Sequence, residues 1–494
     1  MCDANNDSTP APVSKGRQPK RSNDICHKCG LTKPAVRIRH TYYCNPCFKK
    51  SFVNKFRSTM GKALRLSSSH KPRVLMGYSG GTSSRALLNL VGQYSRHEFV
   101  TDDRDKFAKL VVCHIDTTGL FPEQPHDTEG IRQSVEAAYP HVTYDNVPLE
   151  QVLTLQTTND PLTGGWLMEL SPVSDAVAGD FCFIPRRTLT ETQSSPAHRL
   201  TELFQAATKL STKEDLLEHL KFQLLVQRAI HHQCDYIILG DTCTRLAIRT
   251  LANTGKGRGF ALPLSLGGHP TWFNGIEFIR PLRECLVKEA ALYNHLEQLQ
   301  VFPTPSFTTL RPTKSSINKL TEDFIYGLDR DFPSTTSAVT RTAGKLKASD
   351  QVPNNAACLL CLMPVERDSV EWKTAITVRT CPNSADPAPT GESTVTAPPH
   401  PVEVNSADSP LRLTNYFCYA CQTTLSEMRP GAQLPLLIYN ESQGAKDPKE
   451  SPVDVGGDQD TTMGGSEKVE QLSTRGRLWK HSELYDQIAN YLLE

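Results

Sequence analysis

The sequence contains no run of 18 apolar residues, and its first 24 residues lack the apolar core of a secretion signal. We therefore expect neither a membrane-spanning helix nor a signal peptide. Cysteine is too sparse for a secreted disulfide scaffold, since the 494 residues contain only 15 cysteines. Together these absences predict a soluble, cytoplasmic protein with no membrane partner.

Hydrophobic residues make up 38% of the chain, and even with glycine included their share is slightly below that of ordinary domains. Some segments should therefore lack a core. The formal net charge is only +1, which excludes a uniformly basic nucleic-acid coat. However, residues 1–73 carry 16 Lys and Arg against 3 acids, whereas the rest carries 38 basic and 50 acidic residues. This basic block favours a module that meets phosphates, the alternative being a solvated tail.

Eight of the cysteines lie in C-x-x-C pairs, which in a reducing compartment are typical of metal ligands. The first quartet is Cys26, Cys29, Cys44 and Cys47. Its C-x2-C-x14-C-x2-C spacing lets two tight turns present four thiolates to one zinc ion. We predict a zinc knuckle here, with an iron–sulfur centre as the alternative.

The second quartet is Cys358, Cys361, Cys418 and Cys421. Its two pairs are separated by 56 residues, which is too long for a compact ribbon unless the Pro-rich stretch between them loops out. We predict a shared second zinc site, with Cys381 as a competing ligand.

Basic residues in and near the first quartet are candidate RNA contacts, because a basic zinc knuckle suits RNA. A purely structural ribbon is the alternative. A further candidate, Arg258, lies in a basic loop, Gly255–Gly259, that is predicted to be flexible. The full set is Lys28, Lys33, Arg37, Arg39, Lys49, Lys50 and Arg258.

Strands alternate with helices in the middle of the chain. Lys109–Asp116 and Asp235–Asp241 are apolar runs that end in polar turns, and leucines recur at helical spacing across Lys213–Ile230. This pattern predicts an α/β fold, a parallel sheet with helices on both faces, flanked by small N-terminal and C-terminal zinc modules.

The length predicts about three domains. The predicted segments are a disordered tail (1–24), the zinc knuckle module (25–70), the α/β domain (71–350), a C-terminal zinc module with a Pro/Ser/Thr-rich insertion (351–439), a flexible insertion (440–475) and a C-terminal helix (476–494).

A glycine-rich turn follows the first strand of the α/β domain, within Arg73–Leu90. Ser79, Gly80, Gly81 and Ser84 stand between a strand and a helix. Backbone N–H groups and the start of a helix can hold phosphate in such a turn. The alternative is that the glycines serve the backbone conformation alone.

The S-G-G-x-x-S pattern of this turn resembles the PP-loop of ATP pyrophosphatases, and we call it the PP-loop turn. Together with the C-x2-C pairs, four further stretches resemble the cytoplasmic tRNA 2-thiolation protein 2 family, over about Ile25–Leu346 and the carboxyl end. They are Leu210–Leu220, Leu239–Ala247, Ile279–Cys285 and Phe332–Leu346.

The resemblance implies a PP-loop, adenine nucleotide alpha hydrolase-like fold. It also implies a partner, the related PP-loop subunit cytoplasmic tRNA 2-thiolation protein 1. The pair would transfer sulfur from a thiocarboxylated ubiquitin-related modifier to the wobble uridine of tRNAs for lysine, glutamate and glutamine, forming 5-methoxycarbonylmethyl-2-thiouridine. The implied cofactors are zinc and ATP, with ATP bound mainly by the partner, and the basic residues above become candidate tRNA contacts.

The sequence departs from the active PP-loop pattern at three places. Ser83 stands where active members have Asp, Gly240–Thr244 lacks their paired acids, and Ser211–Asp215 lacks their reactive cysteines. We therefore assign no catalytic residue and expect a non-catalytic or half-catalytic tRNA-binding and scaffold subunit. The alternatives are a self-sufficient ATP-dependent tRNA thiolase and a zinc-containing RNA-binding adaptor without nucleotide binding.

Four other cysteines are candidate thiols, although burial in a core is the usual state of such residues. They are Cys113, Cys182, Cys234 and Cys243. Cys243 stands out because it is expected in a polar turn at a strand end, where α/β sheets bind ligands. Arg280 is expected to hold either a phosphate or an acidic side chain.

Overall fold

The computed structural model describes residues 24–64, 71–95, 106–123, 127–139, 142–154, 166–171, 182–187, 195–267, 276–308, 311–332, 334–346, 357–365, 411–413 and 416–435. Cys381, the insertion 440–475, the helix 476–494 and nearly all of the tail 1–24 lie outside the described residues. The chain divides into two compact units, Met1–Phe52 and Val53–Glu494.

The first unit is a hairpin followed by a helix. Strand β1 (Val36–Ile38) pairs antiparallel with β2 (Thr41–Tyr43), and helix α1 (Asn45–Ala63) begins here and continues into the second unit. Pro46 lies in the first turn of α1, where its missing N–H breaks no helical hydrogen bond. Phe48 and Phe52 are buried and stack 6.1 Å apart.

The second unit contains the remaining elements. Its strands are β3 (Arg73–Gly77), β4 (Lys109–Asp116), β5 (Thr143–Pro148), β6 (Trp166–Ser171), β7 (Cys182–Arg187), β8 (Tyr236–Ile238), β9 (Glu277–Ile279), β10 (Leu411–Arg412) and β11 (Gln433–Pro435). Its helices are α2 (Thr82–Ser95), α3 (Thr128–Ala138), α4 (Gln151–Thr154), α5 (Pro196–Ala206), α6 (Leu210–His231), α7 (Cys243–Gly255), α8 (Leu262–Leu266), α9 (Val287–Leu296), α10 (Ile317–Asp331), α11 (Thr335–Ala343) and α12 (Tyr419–Ser426).

Five strands form a parallel sheet in the order β5-β4-β3-β8-β9. The central strand is apolar throughout its middle, with Val74, Leu75 and Met76 fully buried, as expected of a strand covered on both faces. This confirms the predicted α/β fold. The chain order reverses between β3 and β8, and open α/β sheets bind ligands at the carboxyl ends of strands beside such a reversal.

A second sheet joins distant parts of the chain. Strands β10, β7, β6 and β11 form an antiparallel sheet in that order, so segments from the predicted C-terminal zinc module pair with strands from the predicted α/β domain. One hydrophobic cluster also contains Leu75 and Ile237 of the parallel sheet with Cys358 and Cys421 of the second quartet. The predicted boundary near residue 350 stays a prediction, but the two segments share one core.

Among the described residues, no helix is both long and apolar enough to cross a membrane.

Candidate functional site

The PP-loop turn connects β3 to α2 in a tight conformation. Gly80 has φ +74°, and a Cβ atom there would lie 2.7 Å from the carbonyl oxygen of Phe302, whose own N–H donates to the Gly80 carbonyl at 2.9 Å. A residue with a side chain therefore does not fit at this position. Ser84 donates its hydroxyl to the Gly81 carbonyl at 2.9 Å, and the hydroxyls of Ser79 and Ser84 lie 3.2 Å apart.

A cavity of about 620 Å³ opens at this turn, and Ser79, Gly81 and Ser84 line it. The first turn of α2 also faces the cavity through Thr82 and Ser83. The N–H groups of a helical first turn have no partner within their helix, and the helix dipole adds positive charge there. The turn therefore has the chemistry of an anion cradle, although its role in binding nucleotide or phosphate stays a prediction.

The carboxyl end of β8 approaches the same turn. A Cβ atom at Gly240 would lie 3.3 Å from the backbone nitrogen of Ser84. The next residue, Asp241, lines the cavity and accepts hydrogen bonds from Arg249 at 3.1 Å and from Arg280 at 3.2 Å. Burial opposes ionisation of Arg249, but Asp241 is the main group that raises the pKa of Arg249 above its ordinary value.

This pairing decides what Asp241 can do. Its carboxylate is shared by two guanidinium groups, and the side chain of Arg280 is only 4% exposed. A carboxylate neutralised by two arginines is a poor ligand for a divalent cation, because the cation would have to displace them. Arg280 was expected to hold either a phosphate or an acidic side chain, and the structure shows it paired with the acidic Asp241.

Helix α6 forms another wall of the cavity and carries two cavity-lining residues that sequence reasoning missed. Lys221 lines the cavity, and burial lowers its pKa to about 8. The Nε2 atom of His219 has no hydrogen-bond partner within the described chain. Burial lowers the pKa of His219 to about 4, so its ring is neutral near pH 7. The leucine spacing predicted helix α6, but it did not show that His219 and Lys221 face the cavity.

The first quartet brings its four sulfur atoms to within 4.8 Å of one another, and those of Cys29 and Cys44 lie 3.9 Å apart. In a tetrahedral site with Zn–S bonds of about 2.3 Å, neighbouring sulfurs lie about 3.8 Å apart. The quartet could therefore hold one metal ion and is consistent with zinc. Sulfurs this close fit a single ion better than a cluster whose ligands bind different iron atoms.

The second quartet satisfies the same geometric test in a buried setting. Its four sulfurs also lie within 4.8 Å of one another, and those of Cys361 and Cys418 are 3.6 Å apart. All four cysteines are at most 4% exposed. Zinc held by four thiolates has no open coordination position, so its contribution would be structural.

Known proteins resemble this chain over most of its length. A family model described as cytoplasmic tRNA 2-thiolation protein 2 matches residues 316–423. The cytoplasmic tRNA 2-thiolation protein 2-A of Xenopus laevis is 31% identical over 407 residues, covering 74% of this chain and 77% of that protein. The chain belongs to the cytoplasmic tRNA 2-thiolation protein 2 family.

This membership confirms the resemblance seen in the sequence. The cytoplasmic tRNA 2-thiolation protein 2 of Homo sapiens is 28% identical, covering 90% of this chain and 95% of that protein. Among solved structures, the U34-tRNA thiolase NcsA of Methanococcus maripaludis, determined with its 4Fe-4S cluster, is 17% identical with a TM-score of 0.41. That match covers 67% of this chain and 92% of the thiolase.

The candidate tRNA contacts of this family member fall into two groups. In the first unit, Lys28, Lys33, Arg37 and Lys50 are exposed, and Arg39 and Lys49 are half-buried. The guanidinium of Arg37 also lies over the ring of Tyr42, 5.6 Å from its centre, so an aromatic face accompanies the charge. Their contact with tRNA stays a prediction.

Arg258 is placed differently, because the basic loop turns inward. Arg258 is 8% exposed and its Nη2 lies 3.2 Å from Asp215, while Lys256 contacts the other oxygen of Asp215 at 2.6 Å. Although burial opposes ionisation of Asp215, Arg258 and then Lys256 lower its pKa. Arg258 as a tRNA contact therefore stays a prediction, and the burial of its guanidinium beside Asp215 does not favour it.

The candidate thiols lie in the core where the structure describes them. Cys113 and Cys234 are buried, and burial raises the pKa of both thiols. Cys243 was expected in a polar turn at a strand end, but it is the first residue of α7. It is 2% exposed, and its thiol donates to the hydroxyl of Thr340 at 3.5 Å. Cys182 lies in β7, and its side chain is outside the described part.

Proposed function

We propose that this chain is the tRNA-binding and scaffold subunit of a cytoplasmic tRNA 2-thiolation complex. Its partner is the related PP-loop subunit, cytoplasmic tRNA 2-thiolation protein 1. The pair transfers sulfur from a thiocarboxylated ubiquitin-related modifier to the wobble uridine of tRNAs for lysine, glutamate and glutamine. Family membership supports the pathway, and the names of the relatives support the cytoplasm as the location.

One observation favours a non-catalytic role for this subunit. The PP-loop turn and its cavity are intact, but Ser83 supplies no carboxylate and Asp241 is held by Arg249 and Arg280. These two positions therefore offer no free acidic oxygen to help hold a magnesium ion beside a nucleotide. The partner therefore supplies the catalytic acids and the reactive cysteines, and ATP is consumed mainly there.

The cavity of this chain binds a phosphate group without carrying out the chemistry. Ser79, Gly81 and Ser84 supply the cradle, and the ammonium of Lys221 supplies a positive charge in the same cavity. A partly desolvated cation attracts an anion more strongly than a fully hydrated one. ATP or the tRNA backbone would both present such a phosphate.

The basic first unit contributes the tRNA contact. Zinc in the first quartet would hold together residues 26–47, which carry Lys28, Lys33 and Arg37, because a patch this small needs the metal to fold. Zinc in the second quartet supports the core of the second unit. Lysine and arginine would then bind phosphates through charge and counterion release.

Reconstituted thiolation tests this proposal. Purified chain, purified partner and their mixture are given tRNA, ATP and a thiocarboxylate donor, and 2-thiouridine is measured by mass spectrometry. We expect product only from the mixture, and less of it when Ser79→Ala or Lys221→Met replaces the natural chain. Product from this chain alone would establish the self-sufficient thiolase instead. Unchanged activity of both variants, without ATP binding, would favour the RNA-binding adaptor.

A further inference from the structure

The second quartet and the PP-loop turn belong to one cavity. Cys361 and Cys418 line this cavity together with Ser79 and Ser84. Helix α6 lines it as well, through residues that include His219 and Lys221. The metal-ligating cysteines therefore contact the same space in which the proposed anion binds.

The backbone of the second quartet is attached to the middle of α6. The side-chain amide of Gln223 donates to the carbonyl of Leu359 at 3.1 Å and to that of Leu360 at 2.7 Å. Gln223 is 1% exposed, so these bonds form away from water. Since Leu359 and Leu360 lie between Cys358 and Cys361, any movement of that turn is transmitted to α6.

A second attachment holds the start of α6. Glu427, which follows α12, accepts hydrogen bonds from the Thr212 hydroxyl and from the Lys209 ammonium, both at 2.6 Å. Arg258 adds a third connection, because it lies 3.2 Å from Asp215 of α6 and donates to Thr424 of α12 at 3.4 Å. Helix α12 begins directly after Cys418 and contains Cys421.

We propose that the metal ion of the second quartet holds α6 in place as a wall of the cavity, and thereby sets the affinity of the cavity for anions. The metal fixes the Cys358–Cys361 turn and α12. The contacts of Gln223, Glu427 and Arg258 then hold α6 against these two elements. Without the metal, nothing holds the four thiols together in the apolar core, and α6 loses its support. The affinity part of this inference rests on the proposed function, whereas the ordering of α6 does not.

Hydrogen–deuterium exchange on the full chain tests the ordering alone. Exchange is followed in α6 and in α3 as the internal control, before and after removal of zinc by a chelator. We expect at least tenfold faster exchange in α6 and no change in α3. Equal protection of α6 with and without zinc overturns the proposal, whatever the anion result.

The effect of the metal on anion affinity is tested with inorganic pyrophosphate as the probe. Coupling between two binding sites is reciprocal, so an anion that binds the metal-loaded form more tightly must also make the metal bind more tightly. We expect pyrophosphate to slow zinc release from the second quartet at least fivefold and to leave release from the first quartet unchanged. In a Cys26→Ser/Cys29→Ser chain the zinc-release phase of the first quartet is missing, which identifies that phase in the natural chain. The affinity claim is contradicted if pyrophosphate slows zinc release from both quartets equally. It is also contradicted if pyrophosphate slows neither phase although exchange in α6 responds to zinc.

A variant that keeps all eight cysteines tests the connection itself. Gln223→Ala removes the amide that joins α6 to the quartet, and we expect full zinc content with the effect of pyrophosphate on zinc release reduced at least threefold. Gln133→Ala is the matched control, because Gln133 makes its hydrogen bond to Glu129 on the exposed surface of α3. An undiminished pyrophosphate effect in Gln223→Ala would show that Gln223 does not transmit the coupling. Failure of the natural, zinc-loaded chain to bind pyrophosphate would instead refute the proposed anion site and this affinity claim, leaving the exchange result as the test of α6 ordering.

Discussion

Replacing Gly80 by alanine should destabilise the second unit far more than the same change at Gly81. At Gly80, φ is +74° and the added Cβ would lie 2.7 Å from the Phe302 carbonyl oxygen. The left-handed backbone costs about 1–2 kcal/mol for a residue with a side chain, and an overpacked atom adds about 1–3 kcal/mol. At Gly81, the nearest atom to a new Cβ is the Ser79 hydroxyl oxygen at an ordinary 3.5 Å.

Calorimetric unfolding of the full chain measures this difference. One kcal/mol shifts the midpoint temperature by about 2 °C in a large domain, the low end of the range for 150–250 residues. We therefore expect a loss of roughly 4–10 °C for Gly80→Ala, from about 2–5 kcal/mol. For Gly81→Ala we expect a shift of at most about 2 °C. Equal midpoints for the two variants would refute the conformation assigned to the PP-loop turn.

Three further outcomes follow from individual contacts. Asp241→Asn leaves the buried guanidinium of Arg280 without its ionic partner, so calorimetry should show about 3–5 kcal/mol of destabilisation, and a loss under 1 kcal/mol would contradict the pairing. Pyrophosphate should bind more weakly as pH rises through about 8, where the Lys221 ammonium deprotonates. Lys221→Met should bind weakly at all pH values, and a natural chain with pH-independent affinity from 7 to 9 would exclude Lys221 from the site. Lys28→Ala and Lys50→Ala should each lower the slope of log Kd for tRNA against log salt by about 0.7–0.9, and unchanged slopes would exclude these lysines as phosphate contacts.

The sequence predicted those parts of the fold that depend on local pattern. Buried strands such as Lys109–Asp116 and the turn after β3 are encoded by runs of apolar residues followed by glycine and serine, and the structure has them at these positions. The two quartets were also predictable, because C-x-x-C pairs place sulfurs close together through short turns. Family membership followed from the same motifs.

The remainder depends on contacts between distant residues. The basic loop of Lys256 and Arg258 has the composition of an exposed segment, but Asp215, about 40 positions earlier, draws both side chains inward. The joining of β6 and β7 to β10 and β11 likewise crosses more than 200 residues of chain. No local pattern encodes such pairings, so the shared core of the second quartet and the sheet could not be predicted.

The most direct test of the account is the binding of ATP to the isolated chain with and without magnesium, measured by isothermal titration calorimetry. The PP-loop turn keeps its backbone cradle, but Ser83 offers no carboxylate and Asp241 is held by Arg249 and Arg280, so neither of these two positions has an acid free to help hold the ion. We predict that ATP binds with the same affinity, within about threefold, in 5 mM magnesium and in EDTA, as expected when backbone N–H groups rather than a metal ion hold the phosphates. Binding that requires magnesium would contradict a subunit that has kept the cradle and lost the catalytic acids, and absence of binding would exclude ATP as the anion of this cavity.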